Sequence, residues 1–122
     1  MREIKFRAWL TEEKKMVDVY RLDFTDKNGD PTFIMWYWVQ KGTQAGLSKG
    51  FELMQFTGLY DRNGRAIYEG DILRSPANEF FEVFWSEKMN GWVLNGKRID
   101  NNILQHLDIV GNVYENPELL GQ

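Results

Sequence analysis

The sequence predicts a mainly β protein that ends in a small barrel. Many short segments alternate apolar and polar residues, and Gly or Asn-Gly turn formers close them at intervals of about 8–12 residues. Aromatic residues make up 15% of the chain, and their large flat side chains suit pleated sheets. We therefore expect an N-terminal β-rich unit (residues 1–50) and a C-terminal barrel-like unit with a tail (residues 51–122), with one continuous domain as the alternative.

The first unit begins with a hairpin. Ile4, Phe6, Ala8 and Leu10 alternate with polar residues, which predicts a half-buried strand, and residues 16–24 repeat the pattern after a polar break. A turn is expected within residues 26–31, where Asn-Gly supplies the positive φ of a tight turn.

Two further segments complete the first unit. Residues 33–39 (FIMWYWV) are apolar on both faces, which is typical of a strand buried on both sides or of one that is covered by an interface. Residues 41–50 contain three Gly without periodicity, so we interpret them as a mobile loop and a unit boundary.

The second unit opens with the strongest turn signal of the chain. After a strand at residues 51–56, the segment 61–64 (DRNG) predicts a tight turn in which Gly64 has positive φ. A strand at residues 66–68 follows. Gly70 permits an unusual backbone conformation, and Asp71 can accept the amide hydrogen bonds that fix the turn before Ile72.

The remaining segments continue the same rhythm. Short strands are predicted at residues 72–74, 80–85, 92–94 and 107–114, with turns at 88–91 and 95–97. The spacing of apolar residues within 98–106 permits one or two helical turns. Residues 116–122 form a tail that we expect to pack Leu119 and Leu120 onto the body. The length and turn rhythm of residues 55–114 resemble those of SH3-like barrels.

Composition narrows the class of protein. No Cys is present, so disulfide and thiol chemistry are not available. The longest apolar run is residues 33–39, far below the roughly 20 residues that span a bilayer, and the N-terminus lacks a signal-peptide pattern. We expect a soluble cytoplasmic protein with no membrane association. The net charge of −3 does not favour sequence-independent binding to nucleic acid.

Three segments resemble the YopX family, which consists of small proteins of bacteriophages and prophages. They are MREIKFRAWL at the start, residues 51–74 with MQFTGL and IYEGDI, and GNVYENPELL near the end. The resemblance implies a phage or prophage origin and the cytoplasm of a bacterial host, and it implies no particular enzymatic activity.

The sequence gives little support for a catalytic site. His106 is the only His, and neither a second His nor a Cys is present to complete a nitrogen or sulfur metal site. No G-x-S-x-G pattern supplies a nucleophile, so we expect His106 at the exposed end of a helical turn. Glu69 and Asp71 could form a carboxylate pair, but a turn explains them better. We predict no metal and no cofactor, and a hydrolase remains a distant alternative.

The aromatic residues are the main candidates for binding. Residues Trp36, Tyr37, Trp38, Phe80, Phe81, Phe84, Trp85 and Trp92 are too many for the inner face of one small barrel. Burial within the chain, self-association and ligand binding are the three explanations, in decreasing order of preference. For self-association, residues 33–39 are the expected interface.

Basic residues suggest a second kind of partner. If the cations gather beside Trp85 and Trp92, they would form a surface for single-stranded nucleic acid; these cations are Arg62, Arg65, Arg74, Lys97 and Arg98. Arg and Lys at hairpin ends more commonly keep strand edges soluble.

We therefore favour a non-enzymatic accessory protein that forms a homo-oligomer and binds a protein partner, with a nucleic-acid-binding small barrel as the alternative. The candidate binding residues are Trp36, Trp38, Trp85, Trp92, Arg62, Arg65, Lys97 and Arg98.

Overall fold

The computed structural model describes residues 3–23, 33–38, 42–47, 50–94, 97–99 and 101–121. It is built mainly of antiparallel strands, which confirms the predicted fold class. The chain divides into two compact units, one formed by Ile4–Gln55 and the other by Phe56–Gln122 with Met1–Glu3. The predicted division into units at residues 1–50 and 51–122, with one continuous domain as the alternative, stays a prediction.

The N-terminal unit is an antiparallel sheet. Its strands are β1 (Phe6–Leu10), β2 (Lys15–Asp23), β3 (Phe33–Trp38), β4 (Gly42–Leu47) and the first half of β5 (Phe51–Tyr60). They are ordered β4-β3-β2-β1-β5. Strands β1 and β2 form the predicted hairpin, in which Leu10 pairs with Lys15. The turn predicted within residues 26–31 lies outside the described residues.

Alternation along the strands places the core of this unit. Ala8 and Leu10 are buried, as their spacing of two predicts, and so are Val17, Ile34 and Trp36. Ile4 precedes β1 and is 70% exposed, so the predicted apolar stripe begins after it.

The prediction of a loop at residues 41–50 is wrong for most of that segment. Strand β4 pairs with β3 in continuous antiparallel register, from Phe33 opposite Leu47 to Trp38 opposite Gly42. Glycine and polar residues have weak strand preference, but strand formation depends on pairing with a neighbour more than on local preference. The apolar strand β3 supplies that neighbour.

The C-terminal unit contains the second half of β5, which pairs with β6 (Ala66–Tyr68), and a five-stranded antiparallel sheet. The strands of this sheet are β7 (Asp71–Arg74), β8 (Phe80–Ser86), β9 (Gly91–Leu94), β10 (Lys97–Arg98) and β11 (Asp108–Asn112). Their order is β10-β9-β8-β7-β11, so β10 and β11 are its two ends, and a closed SH3-like barrel is not confirmed.

Two short helical elements accompany this sheet. Helix α1 (Asn101–Leu104) is one helical turn, within the one or two turns that the spacing permits. A 3-10 helix (Pro117–Leu120) lies against β8, with Leu119 and Leu120 half-buried, as expected for the tail.

The core of the unit consists of buried side chains from the strands and from the segment around α1, namely Ile67, Leu73, Val83, Leu94, Ile99, Leu104 and Leu107. Among the described residues, no helix has the length and apolarity to span a membrane.

The turn between β5 and β6 has the predicted geometry. Gly64 has φ +80°, and its amide donates to the Asp61 carbonyl at 3.0 Å. The Asp61 amide donates to the Arg65 carbonyl at 2.9 Å, which closes the turn. Only glycine adopts such a φ without a steric penalty.

Replacing Gly64 with Val is expected to lower the free energy of unfolding by about 1–2 kcal/mol. A Cβ at this position would meet no atom within 4 Å, so the cost comes from the backbone conformation alone. Urea denaturation measures it, and Gly64→Asn should cost less because Asn tolerates the left-handed region. Gly50→Val is the matched control, since Gly50 is also uncrowded and lacks the positive φ. An unchanged midpoint in Gly64→Val would contradict the turn geometry.

Candidate functional site

The turn at residues 61–65 is joined to β11 through one buried carboxylate. Asp61 is 6% exposed. Its Oδ1 accepts the amides of Asn63 and Arg65, each at 2.9 Å, and its Oδ2 accepts the Ile109 amide at 3.0 Å. The Arg62 amide also donates to the Leu107 carbonyl at 3.1 Å. Asp61 is therefore a structural residue that joins two segments 48 positions apart.

A second junction joins Gly70 to the chain after β11. The Val113 amide donates to the Gly70 carbonyl at 2.9 Å, and Gly70 has φ +86°. Oδ2 of the buried Asp71 accepts the Tyr68 amide at 2.8 Å, as expected for a turn-fixing carboxylate. Within the following turn, Oδ1 of Asn112 accepts the amides of residues 114 and 115.

This geometry favours the turn explanation of Glu69 and Asp71 over a catalytic pair. One oxygen of Asp71 is held by a backbone amide, and Gly70 between the two carboxylates has the predicted unusual backbone. His106 is exposed just after α1, where its amide donates to the Ile103 carbonyl at 3.1 Å. This is the predicted position at the end of a helical turn.

The tryptophans divide between core and surface. Trp36 is 5% exposed and belongs to the core of the N-terminal unit, so it is not available for surface binding while that unit is folded. Trp38 is the last residue of β3, and its side chain lies outside the described part. Trp85 is 43% exposed, whereas Trp92 is half-buried against the core of the C-terminal unit.

Trp85 and Trp92 form an aromatic pair at the end of the β8–β9 hairpin. They are opposite each other in the strand register. Their ring centroids are 5.2 Å apart with an angle of 79° between planes, an edge-to-face contact. Met89, in the connecting turn, is 36% exposed. We call the set Trp85, Met89 and Trp92 the Trp85 patch.

The three basic residues whose side chains are described gather at β11, and a cluster of all five cations beside Trp85 and Trp92 stays a prediction. Arg62, Arg65 and Arg74 lie around β11, where Asp108 and the Ile109 carbonyl receive them. Lys97 and Arg98 are in β10, at the other end of the strand order, and their side chains lie outside the described part. Asp108 is therefore the common neighbour of Arg62 and Arg74, whereas Arg65 contacts the carbonyl of the adjacent Ile109.

Two clefts lie beside the segment 103–107. One, of about 400 Å³, is lined by Tyr60, Asp61, Arg62, Leu104 and Gln105, and we call it the Tyr60 cleft. The other, of about 310 Å³, is largely apolar and is lined by Ser75, Pro76, Phe81, Leu94, Ile103, His106 and Leu107. Sequence reasoning missed both clefts, because each joins segments that are distant along the chain.

Burial raises the pKa of the Glu82 carboxyl on β8 above its ordinary value. Such a group binds its proton more tightly in the folded state. Glu82 therefore makes its full contribution to the stability of the folded state below the pKa that it has in the unfolded chain. This contribution is lost as the pH rises through the pKa that it has in the folded state.

In the part of the chain that the structure describes, no group of three His, Asp or Glu residues is arranged to hold a metal ion.

Comparison with known proteins now places the chain. The family model described as YopX protein matches residues 5–121, nearly the whole chain. The chain belongs to the YopX family. The structure is also similar to the crystal structure of protein EF1440 from Enterococcus faecalis, at 27% sequence identity and a TM-score of 0.77. That match covers 98% of this chain and 99% of the other. No curated protein matches the sequence.

The segments that carry the YopX resemblance meet in the structure. IYEGDI contains Gly70, whose carbonyl accepts the amide of Val113 in GNVYENPELL. Strands β7 and β11, which follow Gly70 and precede Val113, are paired with Asp71 opposite Asn112. In this YopX family member, residues that carry the family resemblance therefore also form the structural junction between β7 and β11.

Proposed function

We propose that this YopX protein is a non-enzymatic accessory protein that acts through protein–protein contact and self-associates through the Trp85 patch. The observation that carries the proposal is an exposed Trp held edge-to-face against a second Trp, in a hairpin whose turn carries an exposed Met. Tryptophan is the side chain most enriched among the residues that dominate binding energy at interfaces, and methionine adapts to irregular surfaces.

The hairpin supports the patch in a fixed geometry. Trp85 opposes Trp92 and Ser86 opposes Gly91, so both indoles project from paired strands. In the turn, the Ser86 hydroxyl accepts the Met89 amide at 3.2 Å, and the Asn90 amide donates to the Glu87 carbonyl at 3.3 Å. A surface that is ordered before binding loses less conformational entropy when it binds.

The proposal moves the interface from the segment that the sequence favoured. Ile34 and Trp36 of β3 are buried in the core of their unit, which accounts for two of the apolar side chains of residues 33–39. Trp85, by contrast, is the described tryptophan with an exposed side chain that contacts a second Trp. The same patch is where we expect an unrelated protein partner to bind. The phage or prophage origin and the host cytoplasm, which the family resemblance implies, are part of this proposal.

Trp85→Ser is expected to dissociate the oligomer. Light scattering after size-exclusion chromatography at micromolar concentration should give a multiple of 14.4 kDa for the unmodified protein and about 14.4 kDa for the variant. Burial of an aromatic anchor at an interface contributes about 2 kcal/mol or more, which is enough to shift assembly by more than tenfold.

Tyr20→Ser is the matched control, because Tyr20 is an aromatic side chain of the N-terminal unit that is 58% exposed. It should leave the mass unchanged, and circular dichroism should show that both variants are folded. A monomeric mass for the unmodified protein would contradict self-association, and an intact Trp85→Ser oligomer would exclude this patch. Ester or phosphoester turnover that is lost in His106→Ala would contradict the non-enzymatic part.

A further inference from the structure

The Tyr60 cleft combines an exposed aromatic ring with a cation. Tyr60 is 48% exposed, and its ring rests edge-to-face on Phe56, with the ring centroids 5.7 Å apart. Tyr60 and Arg62 line the same cleft, together with Leu104 and Gln105. Its volume of about 400 Å³ falls within the usual range for small-ligand sites.

Asp108 connects this cleft to a second cation. Nε of Arg62 donates to Oδ1 of Asp108 at 2.8 Å, and Nη2 of Arg74 lies 3.7 Å from Oδ2 of the same carboxylate. The side chains of Arg62 and Arg74 are 51% and 45% exposed. Arg65 is close by, since its Nη1 donates to the Ile109 carbonyl at 3.1 Å.

The arginine side chains around Asp108 and Ile109 outnumber the carboxylates there. Three guanidinium groups are accompanied by the carboxylates of Asp61 and Asp108, which leaves one net positive charge. Asp61 accepts three backbone amides, so its oxygens are directed to the main chain. Nε of Arg62 donates to Asp108, and Arg62 also lines the cleft. The two terminal nitrogens of a guanidinium group can bind an oxyanion bidentately.

We propose that the Tyr60 cleft binds one nucleotide of a single-stranded nucleic acid. The base stacks on the exposed face of Tyr60, and the adjacent phosphates pair with Arg62 and Arg74. Stacking is tolerant of sequence and contributes much of the affinity for single strands. It does not require the strongly basic surface of a duplex-binding protein, so the net charge of −3 is compatible with this site.

Fluorescence anisotropy with labelled oligothymidine and oligouridine of about twelve nucleotides tests the proposal, since such strands cover a single site. Tyr60→Leu removes the stacking face and should weaken binding about tenfold or more, whereas Tyr60→Phe should keep it. Arg62→Gln should make the slope of log K against log salt less negative by about 0.7, the value for one phosphate of a single strand.

Matched controls come from the N-terminal unit. Tyr20→Leu and Arg21→Gln change an exposed Tyr and an exposed Arg that pairs with Asp23, and both should leave affinity and salt slope unchanged. Trp85→Ser should also keep oligonucleotide binding, so this site can fail or succeed independently of the Trp85 patch.

Several results would overturn the site. One is the absence of binding to either strand at tens of micromolar protein. Another is binding that Tyr60→Leu and Arg62→Gln leave unchanged while both variants are folded. Binding of adenosine monophosphate without binding of the oligonucleotides would overturn the assignment to a single strand, as would equal competition by a phosphoserine peptide.

Discussion

Asp61→Asn is expected to lower the free energy of unfolding by about 3 kcal/mol. The carboxylate accepts three backbone amides and is 6% exposed. Asparagine has the same shape but only one acceptor oxygen, and its amide group would point a donor at a backbone donor. At least one buried N–H would then lose its partner, and the remaining hydrogen bonds would lose the assistance of the charge.

Urea denaturation gives the free-energy difference, and hydrogen exchange locates it. The amides of Asn63, Arg65 and Ile109 should lose protection first, because they donate to Asp61. Asp18→Asn is the matched control, since Asp18 is an exposed strand residue of the N-terminal unit, and it should change stability by about 0.5 kcal/mol or less. An equal effect of the two substitutions would show that Asp61 does not stabilise the junction.

Gly111→Ala is expected to destabilise the protein by about 2–3 kcal/mol. A Cβ on Gly111 would lie 2.7 Å from Cγ of Asn116 and 3.0 Å from its Cβ. The Asn116 side chain would therefore have to rotate away. Its Oδ1, which accepts the Asn112 amide at 3.3 Å, would lose that hydrogen bond. Glycine is required here by the close approach of a side chain and not by a positive φ.

A double-mutant cycle isolates this contact. An Asn116→Ala background removes the two nearest atoms, Oδ1 and Cγ, and keeps only the Cβ at 3.0 Å, so Gly111→Ala should cost about 1 kcal/mol less there than it does alone. Gly50→Ala is the matched control, because a Cβ at Gly50 would meet nothing within 4 Å. If the cost of Gly111→Ala is the same in both backgrounds, steric conflict with Asn116 is not its cause.

Much of the fold could be predicted from the sequence because it depends on local geometry. The alternation of Ala8 with Leu10 identifies β1 and its core face. Asn63-Gly64 and Gly70 identify turns, since a positive φ is a property of the single residue. Asp61 carries a local signal as well, because an Asp before such a turn commonly accepts the following amides.

The candidate site could be predicted only in part. The sequence indicated Trp85 and Trp92 as binding residues together with Trp36, yet the structure buries Trp36 and exposes Trp85. Trp36 and Trp85 are the same residue type and both lie in apolar strand segments, so residue type and alternation do not show which of the two is buried. The difference depends on which face of each sheet packs against other apolar side chains.

The sequence by itself determined the fold class, the hairpin of β1 with β2, the Gly64 turn and membership of the YopX family. Only the tertiary structure decided that β4 is a strand and that Asp108 gathers Arg62 and Arg74. It also decided that Asp61 holds Ile109. The physical reason is distance along the chain. Backbone conformation follows from neighbouring residues, whereas strand pairing and charge pairing join residues whose proximity exists only after folding.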